Sequence, residues 1–261
     1  MEEHHERAIE RLRRGFAEDP RFPAMFVGGS IVKGLARPDS DVDILLVATD
    51  EEFTSRRRKR DTVFLSGDFT DYEGGYIDGK VVDLGFLRDV AERGSEPARW
   101  AFVGAHLVYS RLPEVGELLE RIVGYRNDEA KAKIEAVFAQ VRVQRWFIAE
   151  AEKRGDRYLL HRSAADMVLF AGRILLAQNA ILFPSHKWFM HSVRNAPNQP
   201  KGFCELLDAV LENPCEESAS RLEECVVEHY EQGLSWTQTL TRYIEDREWN
   251  WRDGKVPIED S

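Results

Sequence analysis

Cysteine is scarce in this chain. Cys204, Cys215 and Cys225 are the three among 261 residues, an odd number at no spacing used by zinc sites. A disulfide framework and a cysteine metal centre are therefore excluded from the reading, and free thiols in a reducing, cytoplasmic compartment are the expectation. Long apolar runs are also missing, so no segment approaches the roughly 20 residues that span a bilayer. The start, Met1-Glu2-Glu3-His4-His5-Glu6-Arg7, is charged where a signal peptide would have an apolar core. Excess positive charge is lacking too. With 36 Lys and Arg against 46 Asp and Glu, the formal charge is −10, which argues against a broad nucleic-acid-binding face. What the chain does have is 43% hydrophobic residues, enough to fill a real core.

The pattern along the sequence changes midway. Ile9, Leu12 and Phe16 recur at helical spacing, and Asp19-Pro20 and Pro23 stop that helix before a short apolar strand at 24–28. A second strand is expected over about 42–48, then a charged helix from Glu51 to Arg60. Its basic run, Arg56 to Arg60, is read as a solvated face. Strand character returns at 62–65 and again at 76–84. Within the latter, Asp78-Gly79 between β-rich runs predicts a tight hairpin turn that puts Asp83 on a returning strand. His106 to Ser110 reads as a last strand, followed by a helix carrying Val115, Leu118, Leu119 and Ile122. From about Asn127 onward, helical periods take over, with Pro184, Pro197, Pro200 and Pro214 punctuating them. The expectation is a first domain over 1–125 and an all-helical domain over 126–261, packed around a shared cleft.

The residues that carry chemistry lie early. Ala24 to Val27 runs into Gly28-Gly29, where missing Cβ atoms let backbone N–H groups approach a phosphate, and Ser30 adds a hydroxyl. Asp41 and Asp43 then alternate with Val42 and Ile44. On a strand this spacing puts both carboxylates on one face and the apolar pair on the other. Two carboxylates so placed suit hard cations such as Mg²⁺, and Asp83 is the expected third. Ser40, beside the pair, stands where it can either touch a nucleotide or satisfy local backbone groups. This combination reads as a metal-dependent nucleotidyl-transfer site.

Together, Gly28-Gly29-Ser30, Asp41-Val42-Asp43 and Asp83 within Val81-Val82-Asp83-Leu84 resemble the DNA polymerase beta-like nucleotidyltransferase superfamily. Arg37-Pro38-Asp39-Ser40 is similar to a segment of its small bacterial members, aminoglycoside adenylyltransferases among them. The resemblance implies an α+β fold, a mixed twisted sheet with flanking helices, followed by a helical bundle. It implies that Gly29 and Ser30 hold the β- and γ-phosphates, that Asp41 and Asp43 bind two Mg²⁺ ions, and that Asp83 completes the site. A second stretch, Asn179 to Trp188, resembles the helical-domain segment of adenylyltransferase-like proteins that ends in a lysine near the triphosphate. That likeness implies Lys187 as a phosphate ligand.

The implied activity is transfer of a nucleoside monophosphate, AMP from ATP or another triphosphate, to a hydroxyl of a small-molecule acceptor. An aminoglycoside-type antibiotic is the narrower reading. A non-catalytic or antitoxin-like nucleotide-binding module, and nucleotidylation of a protein or RNA, are the alternatives.

Overall fold

A computed structural model describes residues 1–230, 232–255 and 258. The chain divides into two compact units, Met1–Gly124 and Tyr125–Ser261. In the first, α1 (Glu3–Phe16) is followed by β1 (Ala24–Val27), the single turn α2 (Gly29–Val32), β2 (Val42–Ala48), α3 (Asp50–Lys59), β3 (Val63–Ser66) and β4 (Ile77–Asp83). Helices α4 (Leu84–Arg93) and α5 (Glu96–Trp100), strand β5 (His106–Ser110) and helix α6 (Val115–Val123) complete it. The five strands form one sheet in the order β3-β4-β2-β1-β5. It is mixed: β2 and β4 run parallel, and the other neighbours antiparallel.

Period-two patterning explains which layer each face meets. Val42, Ile44, Leu46 and Ala48 of β2 bury one face against Ala8 and Leu12 of α1, with Phe53 of α3 packed at the edge. On the opposite face Val47 and Val82 meet Leu87 and Val90 of α4 and Leu118 and Ile122 of α6. Toward the N-terminal ends of β2 and β4 this second face turns polar and carries the half-buried Asp43 and Asp78. Helix α3 ends in the basic run, where Arg56 pairs with Glu52 at 2.6 Å and Arg60 adopts a left-handed cap at φ 57°.

One expectation fails here, for a clear physical reason. Asp78-Gly79 is not a turn but lies inside β4, and residues 67–76 connect β3 to β4. Gly79 is required by close packing within the strand. A Cβ there would lie 2.9 Å from both Ile44 Cγ1 and Phe64 Cβ, its register partners on β2 and β3. The same dipeptide that signals a hairpin thus marks a crowded point in the middle of the sheet.

The second unit is helical. α7 (Asn127–Arg154) and α8 (Arg157–Gln178) are joined through Gly155, whose φ of 65° suits glycine, and Asp156 caps α8 by accepting the Leu159 N–H at 3.0 Å. α9 (His186–Arg194), α10 (Phe203–Glu212), α11 (Glu216–Tyr230) and α12 (Trp236–Arg247) follow. Phe138, Val141, Phe170, Ile174, Leu207, Leu222 and Val226 fill its core. The buried Asp166 carboxylate is paired with Arg162 at 3.1 Å and Arg247 at 2.8 Å, a structural role. Among the described residues, no helix is long and apolar enough to cross a membrane.

Candidate active site

The parallel pairing of β2 and β4 builds the site. It sets Asp43 directly beside Asp78, and Asp41, two residues earlier and just before β2 begins, brings its carboxylate to the same place. One carboxylate oxygen from each of Asp41, Asp43 and Asp78 lies within 4.8 Å of the others. Three carboxylates this close repel one another unless a cation stands between them. The set is all hard oxygen with no histidine or cysteine, which fits Mg²⁺ or Mn²⁺ and not zinc.

The glycine turn closes against this cluster. Gly28 donates its N–H to the Asp43 carbonyl at 2.9 Å, tying the end of β1 to β2. Gly29 has φ +67°, and a Cβ on it would fall 1.6 Å from Asp43 Oδ2, so only glycine fits beside that carboxylate. Ser30 follows on the first turn of α2, half-buried next to Gly29. Ser40 closes a local turn: its hydroxyl accepts the Arg37 N–H at 2.9 Å, and its own N–H donates to the Arg37 carbonyl at 3.0 Å.

Asp83 is not brought to the cluster. It pairs in register with Ala48, five residues along β4 from Asp78, or about 16 Å at the usual strand rise. Its carboxylate caps α4 by accepting the Phe86 N–H at 2.7 Å. The residue that sequence reasoning missed is Asp78. Gly79 could have marked residues 78–79 as strand interior, since an isolated glycine in a strand pattern marks close approach as well as a turn, but it does not say which aspartate joins the cluster.

Two further side chains face the cluster. Lys33 donates to the Ala101 carbonyl at 3.4 Å and holds its ammonium 4.5 Å from the centre of the Trp100 ring. Burial lowers its pKa below the ordinary lysine value, while the Asp43 carboxylate draws it back up. The Asp41 carboxylate raises the pKa of the Tyr76 hydroxyl. Arg37 is exposed and turns to Asp39 at 3.1 Å. Lys187 belongs to the second unit, at the start of α9, where it is exposed with its ammonium 5.5 Å from the Trp188 ring centre.

Residues 9–100 match the family model of the nucleotidyltransferase domain, a span that contains Gly29, Ser30, Asp41, Asp43 and Asp78. No curated protein matches the sequence. Among solved structures, a nucleotidyltransferase-like protein from Exiguobacterium sibiricum 255-15 aligns with 93% of this chain and 80% of its own, at 13% identity and a TM-score of 0.48.

Proposed function

We propose that the first unit carries a metal-dependent nucleotidyl-transfer centre, with Asp41, Asp43 and Asp78 as the metal ligands and Gly28-Gly29-Ser30 as the triphosphate cradle. The observation that carries this reading is the convergence of three carboxylates directly beside a glycine whose backbone no other residue could supply. The match of residues 9–100 to the nucleotidyltransferase domain supports the same chemistry independently. When bound there, divalent metal neutralises phosphate charge and lowers the pKa of an attacking hydroxyl.

The chain's own residues do the rest. The backbone at Gly29 approaches phosphate oxygens without side-chain obstruction, and the Ser30 hydroxyl donates to a non-reacting phosphate. Lys33 is already in the field of Asp43, and moved from the Trp100 ring to a bound phosphate its ammonium would gain a charge-assisted hydrogen bond. The acceptor is a small-molecule hydroxyl, ATP is the donor of first choice, and an aminoglycoside-type antibiotic is the narrower acceptor class. Lys187 is the second phosphate ligand of this reading, which the resemblance of Asn179 to Trp188 supports.

The test is incubation with each labelled nucleoside triphosphate and a panel of hydroxyl acceptors, with pyrophosphate release as the readout. Acceptor-dependent release that needs Mg²⁺ and is lost in Asp43→Asn is the expected result. Nucleotide binding without release across the panel, in the presence of metal, would replace the enzyme with a binding module.

A further inference from the structure

Asp41 stands at the end of the segment 35–40, just before β2 begins, so the hydrogen-bonded ladder does not itself fix its position. Other elements hold that segment. The Tyr72 hydroxyl, from the β3–β4 connection, donates to the Ser40 carbonyl at 2.7 Å. His4 on α1 places Nε2 2.9 Å from the Pro38 carbonyl. The fully buried His5 ring accepts the Glu2 N–H on Nδ1 at 3.2 Å, so in its neutral form it carries its proton on Nε2. That Nε2–H faces the Ser40 carbonyl without reaching hydrogen-bond geometry.

The Tyr72 ring is seated as firmly as its hydroxyl. Its centroid lies 4.2 Å from that of His4 and 5.3 Å from that of His5, and a Cβ on Gly75 would lie 2.7 Å from its ring atoms. Arg7 and Arg11 of α1 hold the neighbouring Asp71 at 3.3 and 2.7 Å. The same connection leads into Asp78, and Val42 donates its N–H to the Tyr76 carbonyl at 3.0 Å. The strands that carry two of the three carboxylates are thus entered through segments clipped to each other by one phenol and to one helix by histidines and arginines.

We infer that Tyr72, seated on His4 and His5, is a positioning residue whose hydroxyl holds Asp41 at coordinating distance from Asp43 and Asp78. This rests on the carboxylate cluster being a metal site. A purely structural tyrosine would cost stability when altered and leave metal affinity alone. A positioning tyrosine would shift metal affinity without unfolding the chain.

The experiment is Mn²⁺ titration of the full chain, followed by the electron paramagnetic resonance signal of free aqueous Mn²⁺, with a thermal melt of each variant. In Tyr72→Phe the Mn²⁺ dissociation constant should rise roughly tenfold to a hundredfold, the usual loss when a residue that orients metal ligands is altered. The melting temperature should stay near wild type, and turnover should recover when Mn²⁺ is raised to saturation. His4→Ala, which frees the Pro38 carbonyl and opens one side of the ring's seat, should shift affinity the same way, and it carries the test if Tyr72→Phe does not fold. Wild-type Mn²⁺ affinity in Tyr72→Phe, with Asp43→Asn losing it, would overturn the inference and leave the metal site standing. Wild-type affinity in Asp43→Asn would overturn the metal site and this inference with it.

Discussion

At the residue scale, Asp78 and Asp83 make opposite use of the same side chain. Asp78 contributes an oxygen to the carboxylate cluster, and Asp83 caps a helix. Asp78→Asn should therefore abolish acceptor-dependent pyrophosphate release with the fold intact. Removing one of three crowded like charges relieves repulsion in the metal-free protein, so its melting temperature should hold or rise. Asp83→Ala should keep turnover and lose about 0.5–2 kcal/mol of stability, the usual cost of a lost N-cap, measured by urea denaturation. His5 gives a third prediction at this scale. Burial, reinforced by the neighbouring His4, lowers its pKa below the ordinary value of about 6.5 that it regains on unfolding. Between those two values the unfolded chain binds the extra proton, so stability rises with pH across the window. The contribution of neutral His5 is complete above about pH 6.5 and is lost as pH falls from there toward the folded-state value. His5→Gln should show a smaller drop in melting temperature than wild type between pH 7 and pH 5.

At the scale of elements, Gly79 sits where the sheet leaves no room for a side chain. Gly79→Ala should cost about 1–3 kcal/mol, the range for overpacking a filled core, because Ile44 and Phe64 flank it from both neighbouring strands. The loss should appear as a lower denaturation midpoint, with weaker Mn²⁺ binding if β4 shifts relative to β2. This residue also shows where sequence reading succeeds and where it stops. Strand β2 over 42–48, β5, α7, α8 and α11 were legible because their apolar periods are strong and bounded by proline, glycine or charge, and α3 was legible from its charged run. Asp41 and Asp43 were legible as a pair because strand alternation is local. The third carboxylate was not, because choosing between Asp78 and Asp83 requires the β2–β4 register, a long-range property. The clip of His4, His5 and Tyr72 was not legible for the same reason, since its members lie on separate elements and meet only in the folded unit.

At the scale of the whole molecule, each unit has its own hydrophobic core, and all three carboxylates with the glycine turn fall within 1–124. Lys187 falls outside it. The two ligand classes can therefore be separated. Lys187→Ala in the full chain should leave Mn²⁺ affinity unchanged and lower triphosphate affinity by about 1–3 kcal/mol if the lysine meets a phosphate, as for other hydrogen bonds to charged groups. Calorimetry at low ionic strength, where such a contact is least screened, is the measurement. Unchanged triphosphate affinity would remove Lys187 from the site and leave the carboxylate cluster untouched.

The parallel pairing of β2 with β4 also bears on the order in which the protein assembles itself. Asp43 and Asp78 are separated along the chain by α3, β3 and the 67–76 connection, so no partly folded form that contains only neighbouring elements can present the cluster. Such non-local pairings close slowly, because the entropy of the intervening loop must be lost before the contact forms, whereas helices form early. In a refolding experiment, capacity to bind Mn²⁺ should therefore emerge after the helical circular dichroism signal, and a bound cation should slow unfolding by holding together two strands that joined late.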